Sequence, residues 1–178
     1  MKRARRPFRG VIYAGLMLTN QGPKVLEFNC RLGDPETQAV IMRLKSDLFE
    51  LLDAAVDERL DTVNLEWDRR PSVTVVMASE GYPGHYERDR VIKNLDVVER
   101  MPDVKVFHAG TSLRIDTSAA SREQRVVSDG GRVLNVSALG DDLAQARQRA
   151  YEAVRAIKFA GGWYRDDIAE KASKEQKS

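Results

Sequence analysis

The sequence has few of the residues that build disulfides and zinc sites. Its single cysteine, Cys30, excludes an internal disulfide. Its two histidines, His85 and His108, have no cysteine or acid at ligand spacing, so we predict no zinc site and expect both to be structural or exposed. The sequence also has no Gly-rich P-loop, Ser/His/Asp set or internal repeat. These absences remove triad, P-loop and zinc chemistry from the candidate functions.

Long apolar runs are missing as well. No apolar stretch approaches the length of a membrane span, and the basic start is not followed by the apolar core of a signal peptide. Five positive charges lie in the first nine residues, and without them the formal net charge falls from +2 to −3. The body therefore presents no general basic field for nucleic acid. We expect a cytoplasmic protein with neither membrane nor nucleic acid among its partners.

What is present is typical of a globular protein. Hydrophobic residues make up 42% and charged residues 31% of the chain, as in ordinary globular proteins. Its length of 178 residues is enough for one or two domains. Alternating strands and a closing helix in the second half describe a small module packed beside the first piece, so we predict an α+β fold. After Arg59 the sequence becomes a polar segment, and we place a domain boundary there, between residues 1–62 and 63–178.

The stretch richest in chemistry is residues 24–38, KVLEFNCRLGDPETQ. Its first eight residues are predicted to form a strand, whose successive side chains point to opposite faces. The apolar set, predicted to face a core, is Leu26, Phe28 and Cys30. The polar set, predicted to share the opposite face, is Glu27, Asn29 and Arg31.

The polar set has the chemistry of a metal and anion site. Carboxylate and amide oxygens, as on Glu27 and Asn29, are ligands that Mg²⁺ accepts, commonly only one or two of them with phosphate oxygens and water. The guanidinium of Arg31 can hold a phosphate or carboxylate through two parallel hydrogen bonds. A solvated face of an antiparallel sheet would show the same spacing, so both interpretations stay open on the spacing alone.

The residues around this strand predict a hairpin followed by helices. Residues 10–19 form the first strand and Asn20–Pro23 the turn, and the first strand carries no acid. Asp34 is predicted at a helix N-cap, with Pro35 at the first helical position, and we keep Asp34 as a weak substrate candidate. The apolar stripe of this first helix is predicted as Val40, Ile41 and Leu44. Ser46 and Asp47 are predicted to cap a second helix, whose predicted core residues are Leu48, Leu51, Leu52, Ala55 and Val56.

The second half predicts strands packed beside one long helix. Strands are predicted at 72–78, 105–108 and 132–138, with a Gly/Pro loop at 80–84 and a polar loop at 116–124. Asp141 and Asp142 open the closing helix, whose arginines are predicted to face water. Its predicted apolar stripe is Leu143, Ala146, Ala150, Ala153, Val154 and Ile157.

Taken together, several longer stretches of this sequence resemble a known family, although no single short motif does. The run LEFNCRLGDPETQ, with YAGLM ahead of it, resembles the phosphoribosylamine–glycine ligase family of ATP-grasp enzymes. The similarity continues through MASEGYPGHY, VFHAGT, SDGGRVLNVSALG and WYRDDIA, and covers nearly all of this chain but less than half of the family's protein. The resemblance implies the C-terminal part of an ATP-grasp lobe, with antiparallel strands and helices, over residues 1–62. A small α+β C-terminal domain would follow over 63–178.

The resemblance also implies a reaction. The family joins glycine to 5-phosphoribosylamine at the expense of ATP, giving glycinamide ribonucleotide, ADP and phosphate through a glycyl phosphate. Glu27 and Asn29 match the family's metal positions, for Mg²⁺ or Mn²⁺, and Arg31 would be the catalytic residue that steadies the anionic intermediate. Many ATP-grasp enzymes place a further carboxylate on the first strand, and its absence here leaves coordination to Glu27 and Asn29.

The family's N-terminal domain and the lobe that grips the nucleotide phosphates are missing from this sequence. The resemblance therefore implies that these lobes are supplied in cis, if the sequence is a fragment or a late-started gene model, or in trans, if the truncation is natural. Two alternatives stay open: a non-catalytic α+β binding or scaffold module, and a different ATP-grasp ligase for another carboxylate and amine. An in-frame continuation upstream of Met1 would favour a fragment, whereas start signals at Met1 would favour the module.

Overall fold

A computed structural model describes residues 3, 5–115 and 123–175 in two compact units. The N-terminal unit comprises the chain up to Thr37 together with Leu44–Asp68, and the C-terminal unit comprises Gln38–Arg43 together with the chain from Arg69 onward. Both units combine antiparallel strands with short helices, so the predicted α+β class is confirmed. None of the helices in the described residues is long and apolar enough to cross a membrane.

The N-terminal unit contains a two-stranded antiparallel hairpin. Its strands are β1, Tyr13–Thr19, and β2, Gly22–Asn29. The Thr19 hydroxyl closes the turn by donating to the Gly22 carbonyl at 2.7 Å, and Gly22 has a φ of +95° that favours glycine. The predicted hairpin is therefore confirmed, although β2 begins before Lys24 and ends before Arg31.

A β-bulge interrupts the pairing of the hairpin. Gly15 pairs with Glu27 but Leu16 pairs with Val25, so Leu26 is an extra residue on β2. Paired residues share a face, so the bulge brings Val25 to the apolar face. Strict alternation would instead have placed Val25 on the polar face, beside Glu27.

The apolar face of the hairpin is exposed, which corrects the sequence prediction. Leu26 is 65% and Phe28 is 69% exposed, and Cys30 is exposed as well, so the prediction that these three enter a core is wrong in this structure. Two strands have no second layer of their own, and burying one face of a sheet needs a further element packed on it.

The first helix differs from its predicted form. Helix α1, Glu36–Ile41, begins one residue later than predicted, after a cis Asp34–Pro35 peptide, so Asp34 is not directly at its N-terminus. The predicted stripe is wrong because α1 ends before Leu44, which instead bridges to Trp67, and because Val40 is 51% exposed.

The second helix is capped as predicted, but the prediction of its buried side is wrong. Helix α2, Leu48–Val56, is capped by Asp47, whose carboxylate accepts from the backbone N–H of Phe49 at 2.7 Å, and a 3₁₀ helix follows at Leu60–Thr62. Only Ala54 is fully buried, whereas Leu52 is 43% and Val56 is 59% exposed. Leu48, Leu51 and Ala55 are half-buried. The helix is apolar at every position except Glu50 and Asp53, so its periodicity could not identify the buried side.

The C-terminal unit is built on a four-stranded antiparallel sheet and a separate two-stranded ribbon. The sheet has the order β4-β7-β3-β8, and the ribbon joins β5 to β6. The strands are β3 Ser72–Ser79, β4 Val104–His108, β5 Thr111–Ile115, β6 Gln124–Ser128, β7 Arg132–Leu139 and β8 Gly162–Trp163. The helices are α3 Leu95–Glu99, α4 Leu143–Ala156 and α5 Glu170–Glu175.

Some elements of this unit were predicted from the sequence and others were not. The three predicted strands and the closing helix are confirmed, and the Asp142 carboxylate caps α4 by accepting from the Gln145 N–H at 2.7 Å. Sequence patterns missed the β5–β6 ribbon and α3. Of the predicted polar loop at 116–124, residues 116–122 lie outside the described residues and Gln124 begins β6.

The core lies between the sheet and α4. The central strand β7 is almost entirely buried, with Leu134 and Val136 packed beside the buried Val75 and Met77 of β3. The predicted stripe of α4 is confirmed, apart from Leu143, which is half-buried, and Tyr151 adds to it. The arginines of α4 do not all face water as predicted, since Arg149 bonds to the Asp103 carboxylate at 3.2 Å and Arg147 to the Ile168 carbonyl at 2.9 Å.

Candidate functional site

Glu27 and Asn29 lie together on the polar face of β2. The Asn29 side-chain amide donates a hydrogen bond to Glu27 Oε1 at 3.1 Å, as expected for side chains two residues apart on one face of a strand. Across the hairpin, Gly15 pairs with Glu27, and a Cβ there would lie 3.1 Å from Glu27 Cγ. The glycine therefore leaves room for the acid, and the hydrogen bond holds the two oxygen-bearing groups side by side.

Tyr13 and Glu36 extend this face, and sequence reasoning missed them. Tyr13 pairs with Asn29, and its hydrogen bond with the Glu36 side chain is the main cause that raises the pKa of Tyr13 above the ordinary value of 10.0. The negative charges of Glu36 and Glu27 raise this pKa further, while the charge of Arg31 lowers it. Glu36 is the acid in the first turn of α1, and no local pattern connects it to a tyrosine 23 positions earlier.

Arg31 lies close to this group but not on the strand. It follows the end of β2, and its guanidinium donates to the Leu32 carbonyl at 2.8 Å. Its positive charge is near enough to Tyr13 to lower the pKa of that hydroxyl. The structure thus brings Glu27 and Asn29 into direct contact and adds Arg31 as a nearby positive charge; the role of Asp34 stays a prediction.

The donors present fit a hard cation bound by few protein ligands. In residues 3, 5–115 and 123–175 no group of three or more His, Cys, Asp or Glu side chains could hold a metal ion. The pair offers carboxylate and amide oxygens, which suit Mg²⁺ or Mn²⁺ ions that keep water and phosphate oxygens as their other ligands. The same pair lacks the nitrogen or sulfur ligands of a structural zinc site.

A second group of loops converges at one edge of the sheet in the C-terminal unit. Ser79, at the end of β3, donates through its N–H to the Gly131 carbonyl at 2.7 Å and through its hydroxyl to the Gly130 carbonyl at 2.9 Å. The Trp163 indole in turn donates to the Ser79 carbonyl at 3.1 Å. Gly131 is needed there because a Cβ would lie 2.0 Å from the Tyr82 ring. Three of the motifs quoted above thus meet in one place.

An open cavity of about 210 Å³ lies beside these loops. It is lined by Ser79, Glu80, His85, Tyr86, Glu87, Arg90, Ala160 and Gly161. The other histidine, His108, contacts the Thr111 hydroxyl through Nδ1 at 2.9 Å. Both histidines are exposed, as expected from the sequence.

Asp129, in the turn before β7, provides a test of this loop cluster. The Ser112 hydroxyl donates to Asp129 Oδ2 at 2.5 Å, and this bond, with the Arg88 charge, lowers the pKa of Asp129 below the ordinary value of 3.8. We expect Ser112→Ala to raise this pKa toward the ordinary value. Carboxyl-detected NMR titration measures it, with Ser173→Ala, which lies on α5, as the matched control. An unchanged pKa would show that Ser112 does not hold the carboxylate.

The sign of the accompanying stability effect follows from the lowered pKa. A carboxyl group that is more acidic in the folded protein than in the unfolded chain stabilises the fold above its unfolded pKa. The contribution of Asp129 is therefore present above about pH 4 and is lost as the pH falls through its folded-state pKa. Ser112→Ala is expected to make this loss smaller.

Comparison with known families assigns both parts of the chain. Residues 72–171 match the model of the family described as phosphoribosylglycinamide synthetase, C domain. Residues 1–37 match the ATP-grasp (A) domain of the same synthetase. Neither match reaches the predicted domain boundary at 62/63, which stays a prediction.

Individual relatives agree with the family models. A phosphoribosylamine–glycine ligase of Rhodopirellula baltica is 55% identical over 173 residues, and the chloroplastic ligase of Arabidopsis thaliana is 49% identical over 172 residues. These matches cover 97% and 95% of this chain but only 38% and 31% of the relatives. The crystal structure of the ligase from Thermotoga maritima is 34% identical, with a TM-score of 0.66, and the match covers 89% of this chain and 36% of that one.

The matched portion of the relatives is their C-terminal part, so the chain spans well under half of the length of the ligases it resembles. The family model over residues 72–171 alone covers more than half of this chain. The resemblance noted in the sequence is thereby confirmed, and the chain belongs to the phosphoribosylglycinamide synthetase family, also named phosphoribosylamine–glycine ligase.

Proposed function

We propose that this chain provides the metal-binding strand and the C-terminal domain of an ATP-dependent ligase in purine biosynthesis. The reaction would join glycine to 5-phosphoribosylamine and give glycinamide ribonucleotide, ADP and phosphate. The observation that carries this proposal is the hydrogen-bonded Glu27–Asn29 pair on β2, inside the segment that matches the ATP-grasp domain. The match of the family's own C domain over residues 72–171 favours this ligase over an ATP-grasp ligase for another carboxylate and amine.

The Glu27–Asn29 pair is the proposed binding site for Mg²⁺ or Mn²⁺. When bound with ATP, such a cation would neutralise charge on the phosphate oxygens. Glu27 would supply a negative charge and a hard oxygen, and Asn29 the amide oxygen that remains once its nitrogen donates to Glu27.

Arg31 is proposed to bind the anionic reactants, and Tyr13 to line the same site. Arg31 can bind a phosphate or acyl phosphate through its planar guanidinium, which is the catalytic role we propose for it. Tyr13, whose pKa is raised chiefly by its hydrogen bond with Glu36, stays protonated at neutral pH, donates its one hydroxyl proton to the Glu36 carboxylate and offers its oxygen as an acceptor on the face that carries Asn29. Glu36 would act as a positioning residue for that hydroxyl.

The substrates are proposals because the chain spans only 38% of the Rhodopirellula relative. The remaining lobes would have to act in cis or in trans, since only residues 1–37 of this chain match the ATP-grasp domain. A cytoplasmic location also stays a prediction, and one of the relatives is described as chloroplastic.

Activity measurements test the proposed function directly. We define the composite ligase as the part of the Rhodopirellula relative that precedes the matched segment, joined ahead of residue 1 of this chain. We expect residues 1–178 alone to show no measurable ADP formation that depends on glycine and phosphoribosylamine, and the composite ligase to restore it. A coupled ADP assay measures both, with the added Rhodopirellula part alone as the control.

Either of two results would contradict this expectation. Turnover by residues 1–178 alone would show that the other lobes are dispensable. A folded composite ligase that consumes ATP only with a different carboxylate or amine would indicate another ligase reaction.

A further inference from the structure

Two lysines of the C-terminal unit lie directly opposite each other, just after the end of α4. The Lys93 N–H donates to the Lys158 carbonyl at 2.8 Å, and the Lys158 N–H donates to the Lys93 carbonyl at 3.3 Å. Residues that exchange backbone hydrogen bonds in this way point their side chains to the same side, with Cβ atoms about 5 Å apart. Two like charges so placed destabilise each other, and an anion bound between them would remove that cost.

The surrounding backbone holds this lysine pair in place. Asn94, next to Lys93, has a φ of +66° and donates through its side-chain amide to the Ala156 carbonyl at 2.9 Å. Both lysines are exposed, and among the residues that the structure describes no carboxylate pairs with either ammonium group. The fold therefore fixes the backbone beneath two positive charges that no described acid neutralises.

An open groove of about 430 Å³ lies beside the lysine pair. Arg90 adds a third cation to its lining, and the half-buried Val91 and Phe159 add apolar surface. The one acid in the lining, Asp89, is already bonded by the Arg114 guanidinium at 2.9 Å. The groove thus suits a phosphate attached to a small, partly apolar body such as a sugar.

The cavity of about 210 Å³ described above adjoins this groove, because Arg90 and Ala160 line both spaces. Of its two acids, Glu87 is paired with Arg90. Glu80 is held by its backbone N–H, which donates to the Gly161 carbonyl at 2.6 Å, and no described cation pairs with its carboxylate. The groove therefore offers unpaired positive charge, and the adjoining cavity offers an unpaired negative charge.

We infer that these two adjoining spaces bind a small phosphomonoester that also carries an amine. Lys93 and Lys158 would bind the phosphate, and the Glu80 carboxylate would accept from the amine. Both 5-phosphoribosylamine and glycinamide ribonucleotide belong to this class, since each carries an amine and a phosphate at opposite ends of a ribose. The inference rests on the proposed function and deepens it by assigning the phosphoribosyl compound to the C-terminal unit.

The charge distribution favours a small ligand over nucleic acid. Nucleic acid is bound by many cations that contact successive phosphates. The chain beyond its first nine residues has a formal net charge of −3, which provides no extended basic surface. A single phosphate needs only the lysine pair.

Titration calorimetry with residues 1–178 tests the phosphate end of this site. The probes are glycinamide ribonucleotide and ribose 5-phosphate, which has a hydroxyl in place of the amine. We expect Lys93→Gln combined with Lys158→Gln to weaken the binding of both probes at least tenfold. The matched control, Lys24→Gln combined with Lys105→Gln, removes the same charge from two other exposed lysines and should leave both affinities unchanged.

Glu80→Gln tests the amine end. We expect it to weaken glycinamide ribonucleotide binding at least tenfold and to leave ribose 5-phosphate binding unchanged, because only the first probe offers an ammonium group to the carboxylate. All these changes replace exposed side chains, and thermal melts check that the fold is retained. Equal affinity for inorganic phosphate and ribose 5-phosphate would indicate an adventitious ion only and overturn the inference. An equal loss in the two double-lysine variants would indicate a general charge effect and overturn it as well.

The composite ligase separates this inference from the proposed function. If it is active, Lys93→Gln combined with Lys158→Gln should raise the KM for phosphoribosylamine at least tenfold with little change in kcat. An unchanged KM would overturn the inference and leave the proposed function intact. If the composite ligase is inactive, probe binding that the lysine changes abolish still supports the site, and only the proposed function fails. Failure of both probes to bind residues 1–178 and the composite ligase would overturn the inference.

Discussion

Glu27→Gln in the composite ligase is expected to lower glycine-dependent ADP formation roughly a hundredfold or more, the scale on which a group that stabilises developing charge acts. The substitution keeps the shape of the side chain and its contact with Asn29 but removes the charge that would hold the cation. The fold should be unaffected because Glu27 is exposed and contributes nothing to a core. Turnover measured against Mg²⁺ concentration, beside a thermal melt, tests both statements.

A matched control and a second readout make this result specific. Glu50→Gln removes a carboxylate that is also exposed, from α2, and should leave turnover unchanged. In isotope-labelled residues 1–178, Mn²⁺ should broaden the backbone amide signals of Glu27 and Asn29 first, and Glu27→Gln should abolish this broadening. Near-normal turnover and Mg²⁺ dependence of Glu27→Gln would instead make Glu27 an ordinary solvated strand residue.

Leu134→Ala is expected to destabilise the C-terminal unit by about 3 kcal/mol, through lost transfer free energy and the cavity left behind. Leu134 is fully buried on the central strand β7, where it pairs with Met77 of β3 and His108 of β4. Urea unfolding measures the change. Trp163 of β8 reports on this unit in a Trp67→Phe background, since Trp67 belongs to the other unit.

The matched change Leu113→Ala, on the exposed side of the β5–β6 ribbon, should cost less than about 1 kcal/mol in the same assay. Leu52→Ala on α2 should also cost less than about 1 kcal/mol in residues 1–178 because 43% of that side chain is exposed, although sequence periodicity had placed it in a core. Equal losses for Leu134→Ala and Leu113→Ala would contradict the placement of the core between the sheet and α4.

The candidate site was predictable from sequence to the extent that it depends on neighbouring residues. Glu27 and Asn29 are two positions apart on one strand, and alternation brings them together whatever the strand packs against. Arg31 was predicted on the same strand, but β2 ends before it and its guanidinium donates to the Leu32 carbonyl. Tyr13 and Glu36 could not be connected, because their contact requires the hairpin to fold back beside the start of α1.

By itself the sequence determined the local features of this protein: the hairpin and its turn, the caps at Asp47 and Asp142, and the shared side of Glu27 and Asn29. Each of these depends on a few adjacent residues and on backbone geometry that repeats along a strand or helix. Only the tertiary structure decided the bulge at Leu26 and the burial of each apolar face, deep around Leu134 and absent at Phe28. Apolar periodicity shows that a face can be buried, but burial requires a second layer, and that layer comes from distant parts of the chain or from another polypeptide.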